Sequence, residues 1–438
     1  MVRRVLPQNS VKLNLNPMFL GKHPALMFAR RSVLLRWLAM VAILSVLPSY
    51  SAAQKDPSDP RDSRTTSVSS DHDPLVAAAF NQFYNMDYER AIAEFQKLQE
   101  RYPKDPEAVN HLLSTVLLRE LYRMGAMNSG EYANDSFIGE AHRPADPAVK
   151  ARIKQMVAQA EDLEEQELKV NPNDVHALYA RGVTRAQFAI YTALVERAWF
   201  SALRNAVGAR RDHERVLQLD PNYVDAKLVV GTHYYVMGSL SWSAKIAAAM
   251  VGLSGTKEKG LEYLRQVADS NTENSVDAKV VLSLFLRREH RYEQARELMR
   301  ELAESYPRNY LFPVEEANLL RAAGQASDAA AMYRKVWQAG REGKYDKLHY
   351  EVAAWGLGEL LRSQKDYAGA VAAYEEVGEA PNPDPETLQK ANLAAGEMYD
   401  LLQKRDLAMK KYETVLAENA STPPAQKARE LIKQAYRE

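Results

Sequence analysis

One unit of about 34 residues recurs between residues 276 and 438, and it constrains the fold more than any other feature of the chain. The run RYEQARELMRELAESYP (291–307) sets Ala295, Met299, Leu302 and Pro307 at fixed intervals. SDAAAMYRKVWQAG repeats the spacing at Ala329, Tyr333 and Val336. YAGAVAAYEEV does so at Ala370, Tyr374 and Val377, and LAMKKYETVL at Ala408, Tyr412 and Val415. A small residue followed one helical turn later by an aromatic or large apolar one marks a helix that touches a neighbour at the small position and fills the space beside it with the large one. Upstream, Ala91, Phe95, Leu98 and Pro103 keep the interval, as do Ala209, His213, Val216 and Pro221; Gly260, Leu264 and Val267 form a weaker copy. Seven copies in step predict stacked helix pairs, each burying its apolar face only against its neighbours.

The pattern resembles the tetratricopeptide repeat, whose second helix carries A-x3-F, a small or apolar residue three on, and often a Pro. First-helix marks of that family are present at Leu357, Gly358 and Leu361, and at Gly396 and Tyr399; Gly182 and Gly231 match its glycine, while Arg181 and Arg185 depart from the pattern. The resemblance covers residues 74 to 438. It implies an all-α, right-handed superhelical solenoid of antiparallel helix pairs, of seven or eight repeats, whose first helices line a concave protein-binding surface. The segment LDPNYVDAKLVVGTHYY…GLSGTKEKGLEYLRQV is also similar to the inclusion-body-clearance branch of tetratricopeptide proteins.

The first 53 residues are of another kind. They hold seven Lys or Arg and no acidic residue; Ala29-Arg30-Arg31 precedes an apolar run at 37–47, then Pro48 and the small residues Ser51-Ala52-Ala53. This is the layout of a secretory signal peptide, cleaved after Ala53, with Met27 as an alternative start. The apolar run is too short to span a bilayer, and Arg30-Arg31 is compatible with either general or twin-arginine export. Residues 54–73, rich in Asp, Ser, Pro and Thr, read as a disordered linker. The chain has no cysteine, which excludes disulfides, thiol chemistry and a lipidated N-terminal Cys. Without residues 1–53 the net charge is −7, against a dedicated nucleic-acid binder. The expectation is an exported, periplasmic or secreted protein of a Gram-negative-type bacterium, with no stable membrane insertion after cleavage.

Within the solenoid, residues 125–147 read as an irregular insert. Two central units are over-long: 27 residues separate Gly182 from Ala209 and 29 separate Gly231 from Gly260, against 12 between Gly358 and Ala370. The excess, near 190–208 and 238–256, is apolar and includes Tyr191, Trp199, Trp242, Ile246 and Met250. Two readings stay open: helices that lengthen and pack on each other, with both tryptophans mostly buried, or a groove for an apolar ligand or partner helix. A polar helix at 425–437 would cap the last repeat.

Chemistry-bearing constellations are sparse. The nine histidines never fall three to five apart, so no helical metal pair exists. His213 reads as a packing residue. Gly252–Lys257 lacks the Gly-Lys-Ser/Thr of a phosphate loop and reads as a loop entering a helix at Lys257. The acidic run 161–167 reads as a solvated face rather than a calcium site. No cofactor is expected, and no nucleophile–base arrangement points to an enzyme. Arg287, Arg321 and Arg362 each close a first helix, with Asn318 one turn before Arg321. If first helices stack about 10 Å apart, these residues form a stripe suited to an acidic or C-terminal protein segment; pairing with carboxylates of the repeats is the structural alternative. The function expected is a protein-interaction scaffold of the bacterial cell envelope; the alternative is a binder of a small apolar ligand, auxiliary to an uptake system.

Overall fold

The computed structural model describes residues 70, 73–127, 143–250, 252–270, 272 and 274–438. The leader, all of the 54–73 linker but residues 70 and 73, and most of the 125–147 insert lie outside them. Among the described residues there are eighteen α-helices and no strand. They pair in order: α1 (Pro74–Tyr84) with α2 (Tyr88–Arg101), α3 (Pro106–Arg123) with α4 (Pro147–Val170), and α5 (Val175–Ile190) with α6 (Trp199–Leu219). Next come α7 (Lys227–Ser239), a short extra helix α8 (Trp242–Met250), and α9 (Lys257–Ala268), which pairs with α7. The regular pairs follow: α10 (Asn274–Arg288) with α11 (Tyr292–Ser305), α12 (Leu311–Ala322) with α13 (Ala326–Arg341), α14 (Val352–Ser363) with α15 (Tyr367–Glu376), and α16 (Pro385–Leu401) with α17 (Arg405–Glu418). The last helix, α18 (Pro423–Lys433), packs on α16 and α17 and closes the stack.

Local sequence explains where helices start and turn. Asp-Pro steps open α1, α3, α4 and α16: the aspartate side chain accepts from an unpaired first-turn N–H (Asp73 from Leu75, 3.0 Å; Asp105 from Glu107, 2.9 Å; Asp146 from Ala148, 2.7 Å; Asp384 from Thr387, 2.9 Å). Proline supplies the next position, where a missing N–H costs nothing. Between the two helices of five pairs the chain turns through one left-handed residue: Met86, His290, Gly324, Lys365 and Gln403.

The repeated small and large residues form the core. Ala91, Phe95 and Leu98 are buried, and so are Ala209, His213, Val216, Leu264, Val267, Ala295, Met299, Leu302, Ala329, Tyr333, Val336, Ala370, Tyr374, Val377, Ala408, Tyr412 and Val415. The large side chain of a second helix fills a notch left by a glycine of the first. A Cβ at Gly358 would lie 2.4 Å from Tyr374 Cε1, and one at Gly396 would lie 2.5 Å from Tyr412 Cε1. That is closer than real Cβ atoms approach, so the two helices touch only because the notch is empty.

Successive first helices also touch one another, as in α7 with α10, α12 with α14 and α14 with α16, and this closer spacing puts them on the inner side of the curve. The insert at 190–208 extends α5 by a π-helical turn (Tyr191–Val195), breaks at 196–198 with Arg197 in the left-handed region, and then forms the start of a long α6. The loop at 252–256 enters α9 as expected, with Thr256 Oγ1 accepting from Lys259 N at 3.2 Å.

Candidate interaction surface

The inner side carries a ladder of repeat-equivalent contacts. Near the ends of α12, α14 and α16, Asn318, Glu359 and Asp400 each accept a hydrogen bond from the tyrosine of the following second helix: Tyr333 to Asn318, Tyr374 to Glu359 at 2.5 Å, Tyr412 to Asp400 at 2.8 Å. Burial raises the pKa of all three phenols, so the tyrosines stay donors at neutral pH.

The arginine stripe is divided. Arg287 Nη1 lies 2.8 Å from Glu315 Oε1, both side chains largely buried, and Asn318 Nδ2 donates to the other oxygen of Glu315 at 3.0 Å. Arg362 pairs with Glu397 at 2.9 Å and donates to the Tyr436 hydroxyl at 3.0 Å. Burial alone would lower the pKa of Arg362; Glu397 and the neighbouring phenols outweigh it. Arg321 is exposed and makes no ion pair among the described residues. Carboxylates from the next first helix therefore neutralise two of the three guanidinia and leave the middle one open.

The stack closes on itself. The ends of α1 and α3 seat on the edge formed by the starts of later first helices. Tyr84 Oη donates to Asp277 Oδ1 at 2.9 Å, Asn309 Nδ2 donates to Tyr84 O at 2.8 Å, and Arg308 N donates to Asn85 Oδ1 at 3.1 Å. Tyr122 Oη accepts from His349 N at 3.1 Å and from Tyr310 Oη at 3.3 Å. Arg143 is ion-paired to Asp384 at the start of α16. The rings of Tyr84 and Tyr306 sit 5.1 Å apart, and those of Tyr122 and His349 sit 5.8 Å apart.

The five apolar insert residues do not converge. Tyr191 is fully buried and donates to Glu196 at 3.1 Å, so it lines no groove. Trp199 is half-buried against the core. Trp242, expected to be buried, is 79% exposed, and Ile246 and Met250 are exposed beside it. The reason is geometric: α8 turns Ala244 and Ala248 to the core, and its large side chains point the other way. A cleft of about 470 Å³ lies elsewhere, between α11, α12 and α13, with Glu293, Arg296, Glu316, Asp328 and Lys335 in its walls.

A family model described as the tetratricopeptide repeat matches residues 75–105, which covers α1, α2 and the turn that follows. The same helix pair, with the same buried positions, recurs along the stack. The described residues form an all-α solenoid of the tetratricopeptide-repeat kind. No curated protein matches it by sequence. Similar solved structures include the APC/C hetero-tetramer Cut9–Hcn1 (TM-score 0.43, 13% identity, covering 84% of this chain and 56% of that one). Others are the Pseudomonas aeruginosa pilF protein (TM-score 0.34, 14% identity, 57% and 97% covered) and the human IFIT1 dimer with PPP-AAAA (TM-score 0.37, 14% identity, 82% of each covered).

The stack departs from its repeat pattern in one buried cluster. The acidic run 161–167 is a solvated face except at Glu164, which is fully buried, bonded to the Thr184 hydroxyl and pushed up to about 8 by burial. Thr184 Oγ1 also lies 2.8 Å from Asn110 Oδ1. A hydroxyl has one proton to give. A protonated Glu164 donating to Thr184, which in turn donates to Asn110, gives each of the two contacts one proton and leaves Glu164 Oε2 without a partner. The signal was present in the sequence: position 164 falls on the stripe of Ile153, Val157, Ala160 and Leu168 that faces the core. His213 is a packing residue, buried against the Tyr179 ring at 5.2 Å with Nδ1 on Ala209 O at 2.8 Å; burial lowers its pKa and keeps it neutral.

Proposed function

We propose that the chain is an exported scaffold of a bacterial cell envelope that holds an acidic or C-terminal protein segment on its first-helix side, at Arg321. Repeat stacks of this kind bind partners along an extended inner surface. The observation that carries the reading is the open guanidinium of Arg321, set between Arg287 and Arg362, whose charges are already met by Glu315 and Glu397. A forked guanidinium grips a carboxylate through paired, charge-assisted hydrogen bonds. Export rests on the basic start, short apolar run and small-residue exit of residues 1–53; N-terminal sequencing of exported material should begin at Gln54.

Photo-crosslinking from position 321, followed by mass spectrometry of the adduct, tests the site. An acidic or C-terminal segment should be captured, less so as salt rises. Arg321→Ala should weaken that binding with the melting temperature nearly unchanged, because an exposed charge contributes little to folding. Arg287→Ala should instead destabilise the fold, since it removes the cation that faces the buried Glu315. Loss of stability without loss of binding in Arg321→Ala would refute the site.

A further inference from the structure

The insert helix α8 presents an apolar face that nothing in the chain covers. Trp242, Ile246 and Met250 recur every fourth residue and are 79%, 47% and 83% exposed. Successive residues of a helix are rotated by about 100°, so these three side chains, with Ala249, centre on the side opposite Ala244 and Ala248. Those two alanines are on the face of α8 turned to the core. The helix is therefore held by its small residues and offers its large ones outward. Phe200, 81% exposed in the first turn of α6, adds a further ring. Because α6 and α7 pack as consecutive antiparallel helices, the start of α6 and the end of α7 lie at the same end of the stack.

The charge around α8 is mostly positive. Residues 197–211 and 226–257 contain no Asp or Glu, although the chain beyond residue 53 is acidic overall. Arg204, one turn after Phe200, is exposed, as is Lys245 on the flank of α8. Two nearby carboxylates are engaged, Glu196 with Lys154 at 2.6 Å and Glu289 with Lys257 at 2.6 Å; Glu258, in the first turn of α9, is exposed. Exposed Trp, Phe, Ile and Met among unneutralised cations match the interface of an anionic bilayer, where aromatic rings settle at headgroup depth and Lys or Arg meet phosphates. A nine-residue helix is far too short to span a membrane, and no helix among the described residues is long and apolar enough to do so.

We propose that α8, with Phe200, Arg204 and Lys245, is a peripheral docking surface for an anionic phospholipid bilayer, lying in the plane of the interface and binding reversibly. It would set the repeat stack on a membrane surface with its inner side free for a protein partner.

The test is co-sedimentation of the full chain with vesicles of phosphatidylcholine alone and of phosphatidylcholine mixed with phosphatidylglycerol. Wild type should bind the anionic vesicles and lose binding as salt rises. The double variant Ile246→Asp/Met250→Asp should bind about tenfold or more weakly at an unchanged melting temperature, since both side chains are already in water. Keeping the leader in both proteins makes the difference report on α8. Brominated lipid should quench wild-type tryptophan emission, and Trp242→Phe should remove that quenching; this second variant keeps the test open if the double variant misfolds. Equal binding by wild type and double variant, or equal binding to both vesicle types, would overturn the proposal. So would self-association of the wild type that the double variant abolishes, without vesicle binding, which would assign the face to a second copy of the chain.

Discussion

The Tyr84 hydroxyl donates a 2.9 Å hydrogen bond to Asp277 Oδ1 across 193 residues of chain. Tyr84 ends the first helix of the stack and Asp277 lies in the first turn of α10, so this one contact joins the start of the solenoid to its fifth pair. Both side chains are buried. Tyr84→Phe keeps the ring and removes only the donor. It should cost about 1–3 kcal/mol, the usual penalty when a buried charged acceptor loses a partner. Denaturant unfolding measures the loss, and amide exchange should rise in α1 and the first turn of α10 together. Faster exchange in α1 alone would mean that the two ends are not coupled.

The glycine notches give a steric prediction. Gly358→Ala pushes a methyl group into the Tyr374 ring, 2.4 Å away, and should destabilise by about 1–3 kcal/mol through overpacking. At Gly378 the nearest atom is Leu388 Cδ1 at 3.5 Å, an ordinary contact, so Gly378→Ala should change stability by less than about 1 kcal/mol. Thermal melts of the two variants side by side check the difference.

Glu164 gives a pH dependence whose sign is fixed. Its folded pKa is about 8, against 4.5 for an ordinary glutamate, so between those values the folded state holds a proton that the unfolded state has released. Stability from this group is then lost as pH rises from about 4.5 to about 8 and levels off above. Glu164→Gln cannot ionise and keeps hydrogen-bonding capacity. It should match wild type near pH 4.5 and be the more stable at pH 8 by an amount on the order of a few kcal/mol. Denaturation midpoints across that range, flat for the difference between the two proteins, would contradict the assignment.

Much of the fold was legible because the repeat is a local code. Asp-Pro steps, the Ala-to-aromatic interval and the glycine notch all act within one helix pair, and Ala370 with Tyr374 or Ala408 with Tyr412 can be read without knowing anything distant. The closure was not legible, because nothing local tells Tyr122 that it will meet Tyr310 and His349. Its trace is an excess of aromatics in the connections ahead of first helices, at Tyr306, Tyr310, Tyr345 and Tyr350, where a repeat needs only a cap. The exposure of Trp242 was missed for a related reason: an apolar stripe announces that a helix has a sticky face, and only tertiary contacts say whether the protein covers it. Arg321 and Arg287 occupy equivalent positions, and what separates them is Glu315, a residue of the next first helix that reaches back to Arg287.

The closed stack is the centre of this account, and the absence of cysteine makes it directly measurable. Asn85 and Arg308 lie on opposite sides of the closure, with Arg308 N 3.1 Å from Asn85 Oδ1. In the double variant Asn85→Cys/Arg308→Cys the two introduced thiols are the only ones in the chain. A short bis-maleimide should link them within single molecules, nearly to completion, and proteolysis should then release a peptide joining α1 to the segment before α12. Two thiols that label freely with monofunctional maleimide and give no such peptide would show an open solenoid, and would contradict the closure.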